Sequence, residues 1–338
     1  MISIVVPAYN EVDGIRTLYE RVRDAAATWN DSFELVIVDD GSRDGTLEIC
    51  RELAQQDGRV RIISLTRNFG HQAALTAGLW HAHGDIIAVI DADLQDPPEQ
   101  LGRFIDKCRE GYDVVYAVRT KRKEGLLKRI AYAAYYRLLA RLAAIRIPLD
   151  SGDFCVMSRR ALDALNALPE RNRFVRGLRS WMGYRQIGLE YERSARLTGE
   201  PKYTFAKLVN LGLDGVFNFS FKPLRLIALT GIAVGCLAIA AAALFVYQYA
   251  TDTTILGHNP RQARGWSSII VAMLLLAAFQ LFSLGILGEY LGRIFEEVKH
   301  RPTYLIGEAI NIDETRMSQQ PRSLPQGRRE GLRSGVAE

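Results

Sequence analysis

An α/β fold, with a mostly parallel sheet covered on both faces and two membrane-crossing helices after it, is predicted for this 338-residue chain by three observations. Short apolar runs alternate with helical stretches over the first 120 residues. Two long uncharged runs follow residue 222. The polar side chains of the first part gather where its apolar runs end.

The apolar runs are SIVVP (3–7), FELVIVD (33–39), VRIISL (60–65), IIAVID (86–91) and DVVYAV (113–118). Each is apolar throughout rather than alternating, as strands buried on both faces are, and their rhythm with helices is that of βαβ units. Ligands of such sheets bind beyond the carboxyl ends of the strands. There the chain reads PAYNE (7–11), DDGSRDGT (39–46), TRNFGHQAA (66–74) and DADLQDPPE (91–99). Neither GxGxxG nor GxxxxGK[ST] occurs on this rim, so a dinucleotide-dependent dehydrogenase and a P-loop NTPase are both unsupported. DDGSRDGT mimics a calcium loop beginning at Asp40, but Arg51 stands where a bidentate Glu is needed.

DADLQDPPE ends a buried strand on two carboxylates one residue apart, Asp91 and Asp93. A turn at the strand end brings both, directly or through water, to one hard divalent cation. Magnesium or manganese held there would bridge the phosphates of a nucleotide diphosphate and stabilise the charge that builds as it leaves. An acid-rich turn is the plainer alternative. The apolar strand before it, with Gln95 and the Pro97–Pro98 pair after it, favours the metal.

The uncharged runs cover about 26 residues (226–251) and about 23 (266–288), each enough to cross a hydrocarbon core of roughly 30 Å. Buried helices of a soluble protein are the alternative, and runs this long without a charge are rare there. MISIVVPAYNE has neither a basic n-region nor an apolar h-region, so no signal peptide is expected. Lys202, Lys207, Lys222 and Arg225 precede the first run, and Arg293, Lys299 and Arg301 follow the second. The connection between them carries only Arg261 and Arg264. By the positive-inside rule the large N-terminal part and both termini are expected on the cytoplasmic side of the inner membrane. No intramembrane acid–base pair suggests ion transport. Gly231, Gly235, Gly285 and Gly288 would let helices of neighbouring subunits approach closely, so a homo-oligomer is expected. The polar tail beyond about residue 311 is expected to be disordered. The net charge of +5 suits a membrane surface or a phosphate-bearing ligand and makes no case for nucleic acid. The four cysteines form no CxxC pair and read as reduced thiols.

In this order and spacing, PAYNE, DDGSRDGT, SLTRNFGHQAALTAGL and DADLQDPPE resemble the inverting family-two glycosyltransferases of the GT-A fold. More narrowly the chain is similar to the polyprenyl-phosphate sugar synthases, the group of dolichol-phosphate mannose synthase and the bacterial undecaprenyl-phosphate glucose synthases. The resemblance covers about residues 1–305, including GEYLGRIFEEV at 288–298. It implies a nucleotide-sugar-binding GT-A core at 1–120, an acceptor-side extension with interface helices at 121–222, two transmembrane helices at 223–292, and a cytoplasmic tail at 293–338.

The resemblance further implies that Pro7, Tyr9, Asn10 and Glu11 line the base and ribose, with Asp39 or Asp40 reading uracil or ribose. The residue types agree, since carboxylates accept from a pyrimidine or ribose and a ring stacks beneath it, although Tyr9 reads equally well as an ordinary packed aromatic. Asp91, Asp93 and Gln95 would hold magnesium or manganese. Arg196 and Lys202, in SARLTGEPKYTF (194–205), would close on the diphosphate of a UDP-hexose.

The acceptor side is basic and amphipathic. In EGLLKRIAYAAYYRLLARLAAIRI (124–147) apolar residues recur at helical spacing beside Lys128, Arg129, Arg137 and Arg141, the composition of a helix lying in the membrane interface. A second such stretch runs from 203 to 221, and docking helices of the soluble core are the alternative for both. Arg119, Arg129 and Arg137 are the nearest cations for a lipid phosphate, which arginine binds bidentately. The expected reaction is in-line displacement at the anomeric carbon, giving a β-linked polyprenyl-monophosphate sugar, with glucose from UDP-glucose as the leading donor. UDP-4-formamido-arabinose, UDP-N-acetylhexosamine and GDP-mannose remain open. Asp153 matches the family position often assigned as base, yet a phosphate acceptor is already largely anionic at neutral pH. Asp153 is therefore expected to be essential without abstracting a proton, a helix-capping acid being the alternative. A processive polysaccharide synthase would need more spans and a QxxRW motif, which RSWMGYRQ (179–186) does not match. A non-catalytic membrane scaffold is disfavoured by the intact acids of the rim.

Overall fold

A computed structural model of the chain describes residues 1–119, 151–171, 173–191, 222–252 and 266–312. Its parallel block is built from β1 (Ile2–Ala8), β2 (Phe33–Asp39), β3 (Val60–Leu65) and β4 (Ile86–Val89). The helices α1 (Ile15–Ala26), α2 (Thr46–Gln56), α3 (His71–His81) and α4 (Leu101–Arg109) connect and follow these strands. Next come β5 (Val114–Arg119), β6 (Ser151–Ser158), α5 (Arg159–Ala167), α6 (Val175–Trp181) and β7 (Gln186–Tyr191). The long helices α7 (Lys222–Thr251) and α8 (Trp266–Val298) and the strand β8 (Ile306–Ile310) complete the described chain.

The expected α/β fold is observed. One eight-stranded sheet runs β7-β5-β6-β4-β1-β2-β3-β8. The pairings β1–β2, β1–β4, β2–β3 and β5–β7 are parallel, and β4–β6, β5–β6 and β3–β8 are antiparallel. The strands feed two cores. Ile2, Ile4 and Val6 of β1 point into one with Leu35 and Ile37, while Val5 points into the other with Val36 and Val38. Burial on both sides is why these runs show no polar alternation.

The strand at 86–91 is shorter than its sequence suggests, and Pro7 explains it. Ile2 donates to Ser32 on the β2 side of β1, so the odd-numbered residues of β1 face β4, and Ile90 donates to Val5 there. The next β4-facing position is Pro7, which has no N–H to offer. The ladder ends and the chain is free to turn at Asp91.

Helix α3 is buried on nearly every side, from Ala73 to Leu79, because it lies directly on the sheet. A Cβ added to Gly78 would stand 2.4 Å from Val5 Cγ1 and 3.0 Å from Val38 Cγ2. Gly78→Ala is therefore expected to cost about 1–3 kcal/mol through overpacking, read as a lower denaturation midpoint of the detergent-solubilised protein.

Helices α7 and α8 are long and apolar enough to cross a membrane, through windows at Leu224–Gln248 and Leu275–Val298 of mean hydropathy 2.4 and 1.5, neither buried within the protein. Helix α8 runs on past residue 288 through Glu289, Arg293, Glu296 and Glu297. The chain then returns to the sheet as β8, where Glu308 pairs with Arg51 at 2.6 Å and Asn311 donates to the carbonyls of Ala54 and Val60. The sheet thus takes β6 and β7 from within 121–222 and β8 from within 293–338. The stretches 124–147 and 203–221 and the tail beyond 312 lie outside the described residues.

Candidate active site

The rim is assembled by loops that hold one another. In PAYNE, Asn10 donates through its backbone to Ser42 Oγ (3.0 Å) and accepts at Oδ1 from the Arg43 N–H (2.9 Å). Glu11 N–H donates to Thr46 Oγ1 (2.9 Å) and Val12 N–H to Asp44 Oδ2 (3.2 Å). Asn10 adopts a left-handed φ of 53°, which asparagine tolerates better than most residues. Tyr9 stands 38% exposed at this loop and is no part of the packed core.

Asp39 and Asp40 are almost fully buried, at 1% and 2% exposure. Asp39 accepts from the Ser42 N–H (3.2 Å) and from Ser64 Oγ (3.1 Å). Asp40 accepts from the backbone N–H groups of Phe69 (2.7 Å) and Gly70 (2.9 Å), so it fixes the loop that enters α3. Burial raises its carboxyl above the usual range against the pull of those two bonds, and Asp39 adds to the rise. Gly41 lets the same loop come close, since a Cβ there would meet Arg67 C at 2.6 Å.

Held by Asp40, the loop delivers His71 at the start of α3. Its Nε2 lies 3.2 Å from Asp153 Oδ2 and 3.9 Å from Asp91 Oδ1, while Arg176 of α6 approaches Asp153 Oδ1 at 3.4 Å. Asp153 sits in β6 and does not cap a helix; Ser158 caps α5 instead. Two acids and two cations from α3, α6, β6 and the end of β4 thus form one cluster.

Charge within the cluster is unevenly shared. Burial alone would lower the His71 pKa, but the hydrogen bond and charge of Asp153 and the charge of Asp91 outweigh it and push it up to about 9. Burial would raise Asp153, yet the charges of Arg176 and His71 and the His71 hydrogen bond hold it far below the usual carboxylate range. Asp91 is left short of compensation. Burial pushes its carboxyl up to about 6 despite His71, with Asp153, Asp96 and Asp93 adding to the rise, and its Oδ1 is buried without a hydrogen-bond partner. Asp93 Oδ1 accepts from the Gln95 N–H at 3.2 Å across a turn in which Leu94 holds a φ of 57°, a strained value for leucine. Asp96 is fully buried and accepts from the Tyr191 hydroxyl, tying this turn to β7.

A histidine pKa raised above its ordinary 6.5 contributes stability that is complete below pH 6.5 and is lost as the pH climbs through about 9. The wild-type protein in chelator is therefore expected to lose thermal stability from pH 6.5 to 9, and His71→Gln to flatten that slope. Melts across this range read it.

The structure thus brings Asp91 to one cluster with Asp153, sets Asp93 and Gln95 in the adjoining turn, and joins PAYNE to DDGSRDGT. Among the described residues no three His, Cys, Asp or Glu side chains form a ready metal cage. Arg129, Arg137, Arg196, Lys202 and the Arg119 side chain lie outside the described residues. Sequence reading passed over His71 and Arg176. His71 carried one signal, its place in the third strand-end segment of the rim.

The family model for glycosyl transferase family 2 matches residues 3–165. YkcC, an uncharacterized glycosyltransferase of Bacillus subtilis (strain 168), is 46% identical over 93% of this chain and 96% of its own length. The uncharacterized glycosyltransferase sll0501 of Synechocystis sp. is 41% identical over 92% of this chain and 96% of that protein. A bactoprenol glucosyl transferase of Shigella phage SfV is 41% identical over 90% of this chain and 97% of that protein. Identity of this extent along nearly the whole of both partners makes the chain a glycosyltransferase, and it belongs to glycosyl transferase family 2.

Proposed function

We propose that this glycosyltransferase transfers a hexose, with glucose from UDP-glucose as the leading donor, to the phosphate of a polyprenyl phosphate on the cytoplasmic leaflet. The observation that carries the reading is the turn after β4, where Asp91, two residues from Asp93, keeps a buried carboxylate oxygen with no hydrogen-bond partner and, among the described residues, only His71, at 3.9 Å, as a nearby cation. An uncompensated carboxylate at a strand end fits a divalent cation, because a cation supplies the charge that burial withholds. Asp91 and Asp93, with Gln95 beside them, would hold magnesium or manganese. When bound, such an ion offsets the charge that develops on a departing nucleotide diphosphate. The named activity of the phage relative, on bactoprenol, supports the lipid acceptor, and the two long apolar helices suit a lipid substrate.

The remaining roles follow from the chemistry of each residue. Tyr9, exposed beside Pro7, offers a ring to the base, and Asn10 and Glu11 lie on the same loop. Asp39 and Asp40 hold the loops around this strand end, and either would read uracil or ribose. Asp153 is kept anionic by His71 and Arg176, which makes it a poor proton acceptor and suits an orienting role. The acceptor phosphate, with a second pKa near 6, needs no base to attack. Arg119, Arg129 and Arg137 are proposed for that phosphate, and Arg196 and Lys202 for the donor diphosphate. The homo-oligomer belongs to the same proposal, since Gly231, Gly235, Gly285 and Gly288 face open space in the single chain.

The test supplies purified protein in detergent with undecaprenyl phosphate and labelled UDP-glucose, UDP-4-formamido-arabinose, UDP-N-acetylhexosamine or GDP-mannose. A labelled lipid from UDP-glucose is expected. A product from another donor alone would replace the sugar, and no lipid product from any donor would overturn the reading.

A further inference from the structure

Beside the first turn of α3, between Arg171 and the polar end of α8, lies an open pocket of about 510 Å³. Four arginines and three glutamates line it. The glutamates are engaged: Glu289 with Arg293 at 2.9 Å, Glu296 with Lys299 at 2.5 Å, and Glu297 with the Arg171 backbone N–H at 3.1 Å. Among the described residues, Arg171, Arg173 and Arg301 have no carboxylate within salt-bridge distance. Arg173 is only 8% exposed; it donates to the Leu165 carbonyl, and its Nε is buried without a partner. A buried guanidinium short of acceptors is costly unless an anion completes it. A phosphate offers the oxygens that arginine forks bind best.

The position narrows the source of that phosphate. The uncharged run of α8 ends at Gly288, and Glu289, Gly292 and Arg293 line the pocket directly after it. For a helix that spans a bilayer, this is the depth of the lipid headgroups. Phe69 and Gln72 line the pocket too, and His71 between them bonds Asp153. The first turn of α3 therefore takes part in both the pocket and the catalytic cluster.

We propose that this pocket binds the phosphate of a membrane lipid headgroup, held by Arg171, Arg173 and Arg301. The inference rests on the membrane reading of α8 and not on which sugar is transferred. The test titrates the full chain, in neutral detergent micelles, with farnesyl phosphate, with dioleoyl phosphatidic acid and with inorganic phosphate, for the wild type and for Arg171→Ala/Arg301→Ala. Saturable binding of at least one lipid is expected. The double variant should weaken it at least about tenfold, as loss of charge-assisted hydrogen bonds does, while UDP affinity stays at the wild-type value. Farnesyl phosphate alone binding would make the pocket a station for the acceptor, and phosphatidic acid binding equally well would make it a bilayer anchor. Inorganic phosphate displacing both lipids at equal concentration would overturn the lipid assignment, and unchanged lipid affinity in the double variant would overturn the site. If the variant loses lipid binding while the wild type transfers no sugar from any donor, the pocket stands and the proposed reaction falls.

Discussion

Asp91→Asn protein is expected to fold with a Tm no lower than the wild type's and to transfer sugar at least about 10²–10³-fold more slowly, the usual cost of removing one preorganised electrostatic group. The two halves of this result have one cause. Asp91 ionises in a buried place that does not compensate it, which pushes its carboxyl up to about 6. An acid whose folded pKa lies above its unfolded value loses stability as the pH rises between the two, so the ionised Asp91 is a burden at neutral pH. Asparagine keeps the shape and removes the burden. It also removes the charge that would hold a divalent cation, and Asp93→Asn is expected to share that loss. Melts in EDTA and initial transfer rates read the two halves separately. A variant with wild-type turnover would show that the carboxylate is no ligand.

Asp153→Asn should fail in the opposite way, losing both turnover and stability. Asp153 answers His71 at 3.2 Å and Arg176 at 3.4 Å. Removing its charge strands two cations, a change that costs roughly 3–5 kcal/mol for a fully buried pair. Arg176 is 23% exposed and His71 is 41% exposed, so solvent screens part of that, and the expected loss is on the order of 2 kcal/mol. Turnover is expected to fall by at least about 10²-fold, because the residue that orients the reacting groups has lost its anchors. Folded Asp153→Asn protein that kept most of its turnover would remove Asp153 from the site.

The parallel half of the sheet was legible because its strands are apolar on both faces, a pattern that needs no knowledge of partners. Strands β1, β2 and β3 fall within a residue or two of the runs that announce them. The antiparallel additions were not legible. Strand β6 opens on Ser151, Gly152 and Asp153, and β8 carries a glycine and a glutamate in five residues, so neither has a strand's usual composition. Their positions are set by pairing across long stretches of chain. The same distance hid the cluster: His71 and Asp153 are 82 residues apart and meet only because β6 lies beside β4. Asp91 and Asp93 could be read as metal ligands from their place at a strand end. That Asp40 is buried and grips the backbone ahead of His71 required the fold.

The central claim, that the Asp91–Asp93 turn serves a metal-assisted transfer onto a lipid phosphate, is tested most directly by chelation. Purified protein, UDP-glucose and undecaprenyl phosphate are incubated with EDTA and then with excess magnesium or manganese, and the labelled lipid is counted. The account predicts one lipid product that vanishes with EDTA and returns with either ion. Product formation indifferent to EDTA would contradict it.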